Sequence, residues 1–348
     1  MSIFENTERT EVSQLGEFGL IDLIKKSFPL KNSSSLLGIG DDTAVLDYGN
    51  KKTLVTKDLL TEGIHFNLMY SPLKHLGYKA VAVNLSDICA MNAIPEHIAV
   101  GLAFSNRFSL DAIEELYEGI KLACERYNID LIGGDTTSSA SGLFISVTAL
   151  GAADEDKTCY RNGAHKGDLI CVSGDLGGAY AGLLVLERER KVFEVDPNAK
   201  IDLTESEYVI ERQLKPEPRV DIVKMLEELD IKPSSMIDIS DGLASELLHI
   251  CTQSGVGCRI MEDKVPIDYQ TDEIMKEFGI PPITAALNGG EDYELLFTIK
   301  QDDYEKIKSR SEVSVIGYIT EPNEGYQLIT KDDKMFEITA QGWDHLKK

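Results

Sequence analysis

Short apolar runs that end in aspartate beside glycine, serine or threonine recur along this chain. They are Leu37-Gly38-Ile39-Gly40-Asp41-Asp42, Leu54-Val55-Thr56-Lys57-Asp58, Val83-Asn84-Leu85-Ser86-Asp87, Leu131-Ile132-Gly133-Gly134-Asp135 and Met236-Ile237-Asp238-Ile239-Ser240-Asp241-Gly242. Apolar positions at helical spacing predict helices over 15–28, 76–93, 220–229 and 243–252, and another from Ser109, a plausible cap, to about Tyr127. Compact apolar runs predict strands over 53–58, 129–134, 143–151, 169–173, 236–239, 294–298 and 314–320. The charged stretch 187–210 reads as a solvated segment. Strands and helices alternate irregularly in each half, which favours an α+β layered fold over a doubly wound sheet.

Length adds a division into domains. A chain of 348 residues exceeds one ordinary core on a prior of roughly 150 residues per domain. The acidic crossing Asp154-Glu155-Asp156 suggests domains over 1–155 and 156–348. The formal net charge of −24 repels nucleic acid and anionic membranes, so neither is expected as a partner. It also repels free nucleotides, so a phosphate ligand must arrive with cations or meet local positive groups. No apolar run is long enough to span a membrane, and no basic segment followed by an apolar one opens the chain, so a cytoplasmic location is expected. The six cysteines form no C-x-x-C pair and read as buried, reduced thiols and not as a zinc site.

Candidate chemistry follows from what is present and what is missing. There is no G-x-x-x-x-G-K-[ST], no H-R-D with D-F-G, no H-E-x-x-H and no G-x-S-x-G, so P-loop, protein-kinase, metalloprotease and α/β-hydrolase readings lose their motifs. Many aspartates and glycine-rich turns remain. Aspartates delivered to one edge would supply the hard oxygen ligands that Mg²⁺ takes, leaving the rest of its shell to water and phosphates. Phosphoryl transfer needs positioning and charge neutralisation more than covalent help. Taken singly, each aspartate is also an ordinary cap or turn residue. The turn Gly174-Asp175-Leu176-Gly177-Gly178 reads equally as a phosphate loop or a close strand-to-helix connection.

Six motifs occur together in order: Gly38-Ile39-Gly40-Asp41-Asp42; Asp58 with His65-Phe66; the run from Tyr78-Lys79 to Ser86-Asp87; Gly133-Gly134-Asp135-Thr136-Thr137; Ile237-Asp238-Ile239-Ser240-Asp241-Gly242; and Gly290-Glu291-Asp292-Tyr293-Glu294. The set resembles the thiamine-monophosphate kinase family, within the aminoimidazole-ribonucleotide-synthetase-like superfamily. The resemblance runs over nearly the whole chain. It implies an N-terminal mixed sheet with helices on one face, dimerising through that sheet, and a C-terminal α+β sandwich domain. It also implies transfer of phosphate from ATP to thiamine monophosphate, with several Mg²⁺ ions. The acceptor phosphate ionises a second time near ~6 and is largely dianionic at neutral pH, so no general base is required.

Position by position, the resemblance implies metal ligands at Asp42, Thr56, Lys57, Asp58, Asp87, Asp135, Asp238 and Asp241. The family often has a hydroxyl residue where Lys57 stands, so Lys57 could ligate only through its carbonyl oxygen. Tyr117, Gly134, Asp135, Arg161 and Ser240 are implied on the ATP side, and His65, Glu291 and Trp343 on the thiamine side. An indole face and a carboxylate suit a cationic thiazolium. Sister enzymes share the aspartate pattern. Selenophosphate synthetase commonly carries a reactive Cys in its N-terminal glycine-rich segment and the hydrogenase-maturation dehydratase a C-terminal Cys, and this chain has neither. The purine-pathway synthetases and a non-catalytic, ion-binding protein of the same fold remain alternatives.

Overall fold

The computed structural model describes residues 35–37, 41, 44–47 and 49–340. The helix expected over 15–28, Asp42 and Trp343 lie outside the described residues. The first half runs β1 (Ser35–Leu37), β2 (Ala44–Asp47), β3 (Lys51–Thr61), α1 (Leu73–Ala90), β4 (Ile94–Phe104), α2 (Leu110–Tyr127), β5 (Asp130–Ser138) and β6 (Leu143–Asp154). These strands form one mixed sheet in the order β1-β2-β3-β6-β4-β5, with only the β4–β5 pair parallel.

The second half runs β7 (Leu169–Ser173), α3 (Gly178–Val195), α4 (Glu207–Leu214), α5 (Val220–Glu228), β8 (Ser235–Asp238), α6 (Leu243–Ser254), β9 (Gly257–Met261), α7 (Tyr269–Glu277), α8 (Pro282–Asn288), β10 (Leu295–Ile299), α9 (Tyr304–Ile307), β11 (Val313–Thr320), β12 (Tyr326–Ile329) and β13 (Met335–Glu337). Its sheet has the order β13-β12-β9-β11-β7-β10-β8. The α+β class read from the chain holds.

The helix α1 is the spine of the molecule. Nearly every residue from Leu76 to Ala90 is buried, because one side packs on the first sheet and the other meets the second half. Its C-terminal Cys89 and Ala90 share a core with Met236, Leu295 and Phe297. The helix α2 lies against α1 at a glycine crossing: a Cβ at Gly77 would stand 2.0 Å from the Leu116 carbonyl oxygen, and one at Gly119 would stand 1.9 Å from that of Lys74. Only glycine permits so close a backbone approach. Ser109 caps α2 by accepting from the Ala112 N–H at 3.2 Å, which is the expected N-terminus.

Three expectations need correction. The run read as ending at Asp58 continues to Thr61, and the one read as ending at Asp135 continues to Ser138. Both aspartates therefore sit inside strands, since threonine and leucine carry the extended pairing onward. Asp87, by contrast, sits inside α1, where the helix expected over 76–93 placed it. The stretch 187–210 is not simply solvated: α3 extends through it to Val195, and Val209 is fully buried beside Val185. Charge density hid an amphipathic pattern there.

Candidate functional site

Strand β3 presents Thr56 and Asp58 on one face and Lys57 on the other, as the two-residue side-chain period requires. Thr56 is buried, and its Oγ1 donates to Asp87 Oδ2 at 2.5 Å. The exposed Lys57 side chain points away, so only its backbone belongs to this face. Asn84, fully buried on α1, accepts from the Asp58 N–H through Oδ1 at 2.9 Å and donates from Nδ2 to the Ala80 carbonyl at 2.9 Å. Helix α1 thus fixes the backbone of Asp58, and Thr56 of β3 fixes the carboxylate of Asp87 that α1 carries.

The second half supplies the opposite wall. Asp238 ends β8 and is buried; its Oδ2 accepts from Ser86 Oγ at 2.6 Å. The loop after α8 then brings Glu291 and Tyr293 alongside, both in the left-handed region, with φ of 59° and 52°. Such backbone is costly for residues other than glycine and tends to persist where a site requires it. The Glu291 N–H donates to the Ser240 carbonyl at 2.7 Å, which ties this loop to Ser240-Asp241. Burial first, and then the charges of Glu291, Asp58, Asp238 and Asp87, hold the Tyr293 phenol well above its ordinary range. The charges of four acidic groups from four separate elements therefore all act on one tyrosine.

Desolvation pushes the Asp58 carboxyl up to about 6. The side chain keeps some accessible surface but is enclosed by protein on most sides, and a charged form there calls for a cation. Beside Asp241, the Asp241 N–H donates to Glu246 Oε1 at 3.0 Å, while Glu246 Oε2 is buried with no hydrogen-bond partner. Burial, followed by the charge of Asp241, raises the Glu246 carboxyl well above its usual range. Among the described residues, no group of three or more His, Cys, Asp or Glu side chains is arranged to hold a metal ion by itself.

The other predicted residues divide. Tyr117, Gly134 and Asp135 come together around an open cavity of about 500 Å³ that also touches Val100, Leu131, Ile132 and Thr136. A Cβ at Gly134 would lie 2.0 Å from the Val100 carbonyl oxygen, so this position must be glycine. The cavity stands apart from Asp58. Asp58 pairs with Val147, Val147 with Val100, and Val100 with Gly134, so three strand spacings of ~4.8 Å, about 14 Å, separate the two positions.

Arg161 is ion-paired, with its Nε 3.2 Å from Asp41 Oδ1, beside the N-terminal glycine-acid motif. His65 closes a turn by accepting the Thr61 N–H at Nδ1, 3.0 Å away, which places its own proton on Nε2 in the neutral form. The turn at 174–178 is a strand-to-helix connection. Asp292 takes the N-terminus of α3, accepting from the Gly177 N–H at 2.7 Å and the Ala179 N–H at 3.3 Å, in the place an anion would need.

Sequence reasoning gave no role to Lys79, Asn84, Ser86, Gln213 or Tyr293, although all but Gln213 fall within its motifs. The signal was present on α1: Lys79, Asn84 and Ser86 are polar residues in an apolar helix, and burying them without partners is costly.

Residues 40–153 match the family described as AIR synthase related protein, N-terminal domain, and residues 165–328 match its C-terminal domain. The chain is 36% identical to the thiamine-monophosphate kinase of Aquifex aeolicus over 96% of its own length and 99% of the relative. It is 34% identical to that of Bacillus subtilis over 96% and 100%. A solved structure, AaThiL complexed with AMPPCP and TMP, superposes with a TM-score of 0.82 at 35% identity, covering 97% of this chain and 99% of that one.

Proposed function

The chain belongs to the thiamine-monophosphate kinase family and is a kinase, and on that premise we propose that it passes the γ-phosphoryl group of ATP directly, in line, to the phosphate of thiamine monophosphate. The products are thiamine diphosphate and ADP. The observation that carries this reading is that α1 ties acids of both halves together: it carries Asp87, which accepts from Thr56 beside Asp58, its Asn84 holds the Asp58 backbone, and its Ser86 donates to Asp238. Bringing two polyanions together on a protein of net charge −24 demands cations, and the residues fit them. All the donors are hard oxygens, and Asp58 is a carboxyl whose burial disfavours its charged form. Asp42, Thr56, Asp58, Asp87, Asp135, Asp238 and Asp241, with the Lys57 carbonyl, are the proposed holders. When bound, Mg²⁺ neutralises charge on the phosphate oxygens and lines up donor and acceptor.

The chain's own groups do the rest. Thr56 and Ser86 orient the carboxylates of Asp87 and Asp238, and Asn84 holds the backbone of Asp58, through the hydrogen bonds described above. Arg161 offers a forked donor to phosphate. Tyr117 and Gly134 line a cavity suited to the adenine side, and Ser240, whose carbonyl accepts from the Glu291 N–H, is the proposed nucleotide contact from the C-terminal half. His65, Glu291 and Trp343 take the thiamine side. No general base is assigned, because the acceptor is already ionised at neutral pH.

The reading divides the chain at 155/156 and carries a cytoplasmic homodimer. Strand β5 is an exposed edge, with Leu131 at 46% and Ile132 at 59% accessibility, and such an edge invites pairing with a second copy. A second copy on that edge would also let Gly134 and Asp135 serve the partner's Asp58 site, from which they are remote within one chain. The test is direct. Purified protein with ATP, Mg²⁺ and thiamine monophosphate should form thiamine diphosphate and ADP in equal amounts. Absence of the diphosphate overturns the reading.

A further inference from the structure

Glu291 is held by two residues to which no role has been given. Lys79 Nζ donates to Glu291 Oε2 at 3.1 Å, and Gln213 Nε2 donates to the same oxygen at 2.7 Å. The two are also joined to each other, since Lys79 Nζ donates to the Gln213 carbonyl oxygen at 2.9 Å. Lys79 and Gln213 are each 5% exposed, whereas the Glu291 side chain remains 32% exposed. Its other oxygen, Oε1, accepts no hydrogen bond among the described residues. One end of the carboxylate is locked into the protein and the other is left without a protein partner among the described residues.

Two features show that this arrangement is built at a cost. The Gln213 amide spends its Nε2 on Glu291 and leaves Oε1 buried with no donor, a penalty the fold carries in order to aim the amide. A lysine is inserted into a helix face otherwise made of Leu76, Ala80 and Val83, and a buried ammonium survives only when paired. The pairing also crosses the molecule: Lys79 stands on α1, Gln213 on α4 and Glu291 on the loop after α8. Asp87 lies eight residues further along α1, about 12 Å at the helical rise. One rigid helix therefore sets the separation between the phosphate-side acids and Glu291.

We propose that Lys79 and Gln213 are positioning residues for substrate specificity: they fix Glu291 so that Oε1 alone meets the organic head of the phosphorylated substrate. Lys79 also neutralises Glu291, so this carboxylate acts as a directed hydrogen-bond acceptor more than as a bare counter-charge to the thiazolium. The inference rests on the reading of Glu291 as a thiamine-side contact.

The experiment compares Lys79→Met, Gln213→Leu, Glu291→Ala and the double variant Lys79→Met/Glu291→Ala by steady-state kinetics on the full-length protein. Lys79→Met and Gln213→Leu should each raise KM for thiamine monophosphate about tenfold, the size of one charge-assisted hydrogen bond, with KM for ATP unchanged. Lys79→Met should add nothing to the KM defect of Glu291→Ala. If Glu291→Ala raises that KM while Lys79→Met and Gln213→Leu do not, or if the Lys79 defect adds in full to that of Glu291→Ala, the positioning role is overturned and the substrate-side reading stands. If Glu291→Ala leaves KM for thiamine monophosphate unchanged, the substrate-side reading falls and the positioning role with it. Should Lys79→Met not fold, Gln213→Leu decides on the same criterion.

Discussion

Ser86 Oγ stands 2.6 Å from Asp238 Oδ2, a hydrogen bond from α1 in the first half to the end of β8 in the second. Both residues are buried. A neutral hydroxyl donating to a carboxylate stabilises the ionised form without cancelling its charge, which leaves Asp238 able to face a cation. The same helix gives Thr56 its acceptor through Asp87 and holds the Asp58 backbone through Asn84. Asp58 and Asp238 are thus positioned from α1, while Asp87, which α1 carries, is held by Thr56 on β3.

The first prediction tests that orientation. Ser86→Ala removes the donor with little change in volume and should raise the Mg²⁺ concentration for half-maximal turnover about tenfold or more, the usual effect of losing a group that orients a metal ligand. Thermal stability should fall modestly, by about 1.5–3 kcal/mol for a hydrogen bond to a charged group. An unchanged Mg²⁺ requirement would detach Ser86 and Asp238 from the metal site.

Asp58 links pH to metal. Its carboxyl titrates at about 6 in the fold, against ~3.9 in an unfolded chain. The folded state therefore binds this proton more tightly, and its contribution to stability is complete below ~3.9 and is lost as pH rises through about 6. Metal-free protein should lose more melting temperature between these pH values than metal-free Asp58→Asn, and Mg²⁺ should reduce the loss in the unsubstituted protein. Asp58→Asn should fold normally yet turn over at least about a hundredfold more slowly, since a lost ligand removes several kcal/mol of charge stabilisation. Parallel pH–stability curves for the two proteins would count against this assignment.

Gly134 carries a steric prediction. Any side chain there meets the Val100 carbonyl oxygen at 2.0 Å, so Gly134→Ala must push β5 away from β4 and distort the cavity lined by Tyr117 and Asp135. KM for ATP should rise severalfold while KM for thiamine monophosphate changes little. Equal effects on both would place this cavity outside the nucleotide site.

How far the chain announced all this depends on range. The span of α2 from Ser109 to Tyr127 and the strand Leu169–Ser173 were legible, because a cap and a compact apolar run are local signals. Strand β4 was not: Pro95 and Glu96 near its start look like a turn, and it forms because β5 and β6 pair on either side of it. The acids of the site were legible as motifs. Their supports were not, since Lys79 and Glu291 are 212 residues apart in the chain and only the packing of α1 brings them together.

The position of Asp135 yields the last prediction. Within one chain the path from Asp58 to Gly134 crosses β6 and β4, about 14 Å at the ordinary strand spacing, which is too far for both aspartates to hold one cation at 2.0–2.1 Å. If a second copy packs along the exposed β5 edge, each site draws Asp58 from one protomer and Asp135 from its partner. Asp58→Asn and Asp135→Asn homodimers should then both be inactive. Heterodimers formed by unfolding and refolding the two together would contain one site with both aspartates replaced and one site intact. Random pairing makes half of the dimers mixed, so activity should return to about a quarter of the unsubstituted level. A mixture that stays inactive, although mixed dimers are present by mass, would require Asp135 to act within its own chain and β5 to move toward Asp58.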